Sequence, residues 1–191
     1  MRLRWDEFAR FARIRITDPS GQPAENCSVM VTYNSGRSGS GSIAQGGTMN
    51  LLLPKEGTTV QIQPRDPAYQ TAELGEVDGD RAVQLQPSLR VTLRWKEPPK
   101  LPEGLDLLIV SDLRSGIRNE TIFGADHSTT MFVAKPGKVA LRFSLRKGNT
   151  THYLNPRVDV EIDEKGSPIV LEMTEALRQE IDRRAEQLGG G

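Results

Sequence analysis

The chain has 191 residues with Lys+Arg and Asp+Glu equal at 25 each, so its formal charge is zero. It has no overall basic excess with which to hold nucleic acid through its phosphates. Hydrophobic residues at 36% suffice for thin two-layer cores, aromatics at 5% are scarce, and the single cysteine excludes an intrachain disulfide.

Residues 1–12 form a lead-in, a short helix or an irregular segment, with Trp5, Phe8 and Phe11 at helical spacing and set to pack on the first core. The arginines of this start, Arg2, Arg4, Arg10, Arg13 and Arg15, read as solvated faces. From Arg13 the period changes to two. Ile14 and Ile16 point one way and Arg13, Arg15 and Thr17 the other; further on, Cys27, Val29 and Val31 oppose Ser28, Met30 and Thr32. Between these strands, Asp18-Pro19-Ser20-Gly21 has the chemistry of a tight turn: an acceptor side chain, a proline with preset φ, and a glycine free to take positive φ. Cys27 reads as a small buried hydrophobe. The Gly/Ser run 35–42 has no apolar anchor and is expected to be a mobile loop. Without a following helix or a Lys-Ser/Thr pair it is no phosphate cradle. Thr48–Leu53, the turn Pro54-Lys55-Glu56-Gly57 and Thr58–Gln63 make strand, turn and strand. A loop at 65–69 carries Tyr69 as a cap, and Ala82–Leu85 is the next strand, closed by Pro87.

There the pattern restarts. Leu89–Trp95 alternates, a Pro-rich turn spans Lys96–Gly104, and strands follow at Leu105–Val110, Thr121–Phe123 and Thr129–Val133. Ala134-Lys135-Pro136-Gly137 sits where Pro54-Lys55-Glu56-Gly57 sat, and Val139–Leu145 places Val139, Leu141, Phe143 and Leu145 on one face. Asn149–Asn155 reads as a polar loop, Val158–Ile162 as a strand, Glu164–Ser167 as a turn and Ile169–Leu171 as the closing strand. The pattern thus occurs twice at an offset of about 80 residues, which divides the chain into a lead-in at 1–12, a first sandwich at 13–87, a second at 88–173 and a tail at 174–191. In that tail, Thr174 caps a helix to Leu188, and Leu177, Ile181, Ala185 and Leu188 form one stripe directed at the helix's own sheet.

Thr17-Asp18-Pro19-Ser20-Gly21-Gln22-Pro23-Ala24, the Val-x-Val strand after it, Leu51-Leu52-Leu53-Pro54-Lys55-Glu56-Gly57 and Ala68-Tyr69-Gln70 resemble the carboxypeptidase regulatory-like family over residues 13–86. Where that family has a Thr-Asp-x-x-Gly turn before its Leu-Pro strand, this chain has the Gly/Ser run and Gly46-Gly47. Residues 89–173 match by pattern alone. The resemblance implies small Greek-key sandwiches related in shape to transthyretin, with an accessory, adhesive or spacer role and no catalytic residues to carry over. The expected fold is all-β: two tandem Greek-key, transthyretin-like β-sandwich domains with a short C-terminal α-helix.

Catalysis needs a nucleophile, a base and an orienting group in one cleft. The only histidines, His127 and His152, stand in separate polar stretches, and no spacing selects a serine or carboxylate beside them. Asp159, Glu161 and Asp163 alternate along one strand face and do not flank a substrate. A Lys–Asn crosslink fails on inventory, because the first strands offer only Lys96 and the last strands contain no asparagine. No catalytic residue, metal site or cofactor is therefore expected. A non-catalytic spacer and protein-interaction module of a larger bacterial-type protein fits best, monomeric, partnered by a protein or by neighbouring domains, and bound to no nucleic acid. A carbohydrate- or other ligand-binding module is the alternative. Tyr69, His152 and Tyr153 are the candidate contact residues, chosen from a set that also holds Tyr33 and Trp95. No run of 18 apolar residues exists, so no membrane-spanning helix is expected. The start lacks a secretory signal's apolar segment, so the chain is expected in the cytoplasm unless it comes from an exported parent, which would place it in the cell envelope or outside the cell.

Overall fold

A computed structural model describes residues 9–33, 38–54, 57–110, 112, 117 and 119–189, the side chains of 38–43 and 189 excepted. The chain divides into two units, Met1–Pro87 and Ser88–Gly191.

In the first unit, alternation in the sequence becomes alternation across a sheet. β1 (Ala9–Thr17) buries Ala12, Ile14 and Ile16 and turns Phe11, Arg13 and Arg15 outward. β1 lies between β4 (Thr48–Pro54), antiparallel to it, and β7 (Arg81–Gln84), parallel to it. The facing sheet has the order β3 (Ser38–Ile43), β2 (Cys27–Tyr33), β5 (Thr58–Pro64), β6 (Ala72–Glu76). Cys27, Val29, Val31, Val60 and Ile62 from this sheet meet Ile14, Ile16, Met49, Leu51 and Leu53 from the other in one core. Two sheets with apolar inner faces and polar outer faces make a β-sandwich. The chain crosses between them at β1–β2, β3–β4, β4–β5 and β6–β7.

Two expectations for this unit need correcting. Residues 9–12 are strand, not lead-in, and Phe11 is 58% exposed opposite Leu52 at 64%, because placing Ala12, Ile14 and Ile16 inside forces residue 11 out. The aromatics expected at 1–8 lie outside the described residues. The Gly/Ser run is not a loop over its whole length: Ser38–Ile43 pairs with β2, at Thr32↔Ser38, Val31↔Gly39 and Met30↔Ser40. Backbone hydrogen bonds hold an edge strand that has little side chain to bury; residues 34–37 lie outside the described residues. β6, for which no strand was expected, pairs with β5 and sets Ala72 and Leu74 against the core with Glu73 outward.

The second unit repeats this order. β8 (Leu89–Trp95) lies between β11 (Ser128–Val133), antiparallel, and β14 (Ile169–Leu171), parallel. The facing sheet runs β10 (Thr121–Ile122), β9 (Leu105–Ile109), β12 (Gly137–Lys147), β13 (Thr150–Ile162). Strand for strand, this matches β4-β1-β7 and β3-β2-β5-β6. Gly57, just before β5, and Gly137, at the start of β12, stand at equivalent places and both take positive φ (68° and 125°); Lys55 and Glu56 lie outside the described residues. Asn149–Asn155 is not a polar loop. The chain turns at Gly148 (φ 56°) and returns as β13, pairing Lys147↔Thr150 and Leu145↔His152.

Among the described residues only this unit carries a helix, α1 (Glu175–Gly189). The Thr174 hydroxyl accepts from the Leu177 N–H (3.2 Å), and the Arg178 N–H donates to the Thr174 carbonyl (3.0 Å), which fixes its start. The stripe predicted at Leu177, Ile181 and Ala185 is buried, with Leu188 half-buried, and α1 packs against β13 and β12. Among the described residues no helix is long and apolar enough to cross a membrane.

Candidate functional site

The Asp18 turn has the geometry its residues imply. Its carboxylate accepts from the Ser20 N–H (2.8 Å), the Ser20 hydroxyl (2.7 Å) and the Gln22 N–H (2.9 Å), while Gly21 takes φ 86°. The Ser20 hydroxyl above all, then the backbone N–H groups, holds the Asp18 carboxyl below its ordinary value. Between β13 and β14 the second unit builds the same device. Asp163 accepts from the Lys165 N–H (3.0 Å), the Ser167 N–H (2.9 Å) and the Ser167 hydroxyl, and is held low by the last of these first. These carboxylates are occupied in closing turns. Asp159 and Glu161 are exposed on the outward face of β13, and Lys138 reaches Asp159 at 2.9 Å.

Tyr69 is half-buried against the first core and bridges to Pro87. It lines an open cleft of about 480 Å³ with Asp18, Arg65, Asp66 and Cys27. The cysteine is buried, and burial pushes its thiol up. His152 and Tyr153 are consecutive on β13, so they face opposite sides of the sheet. His152 is half-buried on the side of Leu154, and Tyr153 stands 66% exposed on the other. Tyr69 belongs to the first unit, and His152 and Tyr153 to the second.

His127 sits at φ 59° in a turn of its own. Its N–H donates to the Gly124 carbonyl (2.9 Å), and its carbonyl accepts from the Trp95 N–H (3.1 Å). Among the described residues no group of three or more His, Cys, Asp or Glu stands together to hold a metal ion.

Sequence reasoning missed what surrounds Trp95. The indole is 3% exposed, between Phe123 (ring centroids 5.5 Å apart) and Phe143 (5.6 Å). Above it Pro98, Pro99, Leu101, Ile122, Phe123 and His127 border a cleft of about 200 Å³. A second recess, of about 410 Å³, lies between the same proline turn and α1, lined by Met173, Arg178 and Ile181. The signal in the sequence was the Pro-Pro-x-Leu segment directly after a strand ending in tryptophan.

No protein-family model and no curated protein matches the chain. Among solved structures it is similar to the Bacillus anthracis TIE protein, at 14% identity and a TM-score of 0.34, over 87% of this chain and 34% of that one. It is similar to a streptococcal ancillary pilin at 13% identity and a TM-score of 0.35, over 89% and 64%. The major pilin subunit BcpA of Bacillus cereus aligns at 7% identity and a TM-score of 0.33, over 86% and 99%. This chain therefore spans about a third of the first of these proteins and just under two thirds of the second. Its own fold is a β-sandwich.

Proposed function

We propose that this chain is a non-catalytic β-sandwich module, a spacer and protein-interaction unit of a larger bacterial-type protein. The observation that carries the reading is the use made of its titratable side chains. Asp18 and Asp163 close turns, Asp159 and Glu161 line a solvated strand face, His127 lies in a tight turn and His152 in a strand. Catalysis would require such groups to converge on one cavity. The carboxypeptidase regulatory-like reading of residues 13–86 draws support from the hydrogen-bonded Asp18 turn and from Leu53-Pro54 ending β4 ahead of Gly57, and the two-domain reading from the recurrence of one strand order.

The test removes the histidine inventory. His127→Gln and His152→Gln together should leave the parent protein's function in cells unchanged, and photo-crosslinking from the outward face of β13 should recover a protein partner. A loss of function in the double variant with an intact fold, read by circular dichroism, sinks the non-catalytic reading.

Tyr153 favours carbohydrate as a second ligand class. An exposed aromatic ring flanked by Thr151 and Asn155 on a strand face is suited to stacking on a sugar. Tyr153→Ala should then abolish retention on a glycan surface.

A further inference from the structure

The Trp95 indole N–H has no hydrogen-bond partner among the described residues and no contact with solvent. A buried donor left unpaired is costly, and buried tryptophans ordinarily find an acceptor. This ring cannot easily turn to find one, because Phe123 and Phe143 pack against it. The cleft it lines is otherwise mostly apolar, with Leu101, Leu105, Leu107 and Phe123 in its wall and Ile122, 42% exposed, at its lip.

The rim is acidic. Asp106 lines the cleft and meets Arg146 at 3.4 Å, but the same guanidinium also meets Glu120 at 3.7 Å, so two carboxylates share one cation. An apolar wall, a lone donor and a negative rim ask for three things together: an apolar side chain, a carbonyl acceptor and a positive charge. A sugar fits less well, since the buried Trp95 offers no face for stacking.

The geometry points to a docking site for a partner polypeptide that presents an apolar side chain next to a lysine or arginine. The apolar side chain fills the cleft and its backbone carbonyl accepts from the Trp95 indole N–H as the Phe123 ring moves aside. The basic group lies against Asp106. This deepens the protein-interaction reading and rests on it.

The test uses the full chain carrying Trp5→Phe, which leaves Trp95 as the sole indole reporter in ¹H–¹⁵N spectra. The probes are N-acetyl-Leu-Lys-amide, N-acetyl-Gly-Lys-amide and N-acetyl-Leu-Glu-amide. The first should shift the indole resonance downfield in a saturable way, and the other two should bind about tenfold more weakly or worse. Ile122→Arg, an exposed position, should weaken the first peptide by a similar factor without lowering the melting temperature. No saturable shift with any peptide, equal shifts with all three, or undiminished binding by Ile122→Arg each overturns the proposal. A chain that fails here but still recovers a protein partner in cells loses the cleft and keeps the interaction reading.

Discussion

Gly47 is held against Ile16. The Ile16 N–H donates to the Gly47 carbonyl at 2.7 Å, and a Cβ built on Gly47 would stand 2.7 Å from the Ile16 carbonyl oxygen and 2.8 Å from the Pro23 Cβ. Gly47 also has φ 68°, so a side chain there meets both strain and a backbone that must move. Gly21, at φ 86°, has open space around its Cβ position. Gly21→Ala should therefore cost roughly 1–2 kcal/mol of conformational strain, and Gly47→Ala clearly more. Urea denaturation of the two variants should show that order, and equal midpoints would contradict it.

Val29 and Leu141 are core residues of their respective units, 2% and 0% exposed. Alanine at either should cost about 1–4 kcal/mol through lost burial and the cavity left behind. Chemical denaturation measures this, and midpoints equal to the parent's would refute the register drawn here.

Because Ser38–Ile43 pairs with β2, replacing residues 35–42 by a four-residue connection should lower the melting temperature. A free loop would not respond in this way, since loop closure depends only weakly on length. The replacement also bares the β2 edge, and size-exclusion chromatography should show new association. An unchanged melting temperature and a monomer profile would show that this strand contributes nothing.

Asp18 and Asp163 supply an acid-sensitive element of stability. Their hydrogen bonds lower both carboxyls below the ordinary value of 3.8, so the unfolded chain binds more protons than the folded one in that range. The stabilisation is complete above that value and is lost as pH falls through the lower folded values. Asp18→Asn with Asp163→Asn keeps an acceptor oxygen but removes the titration. The double variant should have a flatter stability profile below about pH 4 than the parent. Parallel profiles would show that these turns do not carry the effect.

The repetition of one strand order, with short connections inside each unit, predicts that residues 1–87 and 88–191 fold separately. Each expressed alone should give dispersed amide spectra. If neither folds but the mixture does, the core is shared and the two-domain reading fails.

The central strands, the turns and the helix were legible in the residue order. β1, β2, β5 and β8 each bury one face, and burying one face of a strand imposes a period of two that is written in the residue order. The Asp18 turn and the Thr174 cap are local hydrogen bonds made within a few residues, so they too were legible. Tertiary structure decided the rest. β3, β6 and the first half of β13 are edge segments, held largely by backbone pairing to the strand just before each in the chain, and such pairing is written only weakly in side-chain alternation. The candidate contacts diverged for a related reason. Adjacency in sequence placed His152 beside Tyr153, but a strand sends consecutive side chains to opposite faces. The cleft over Trp95 exists only because β8, β9, β10 and the proline turn meet in space, which no spacing along the chain encodes.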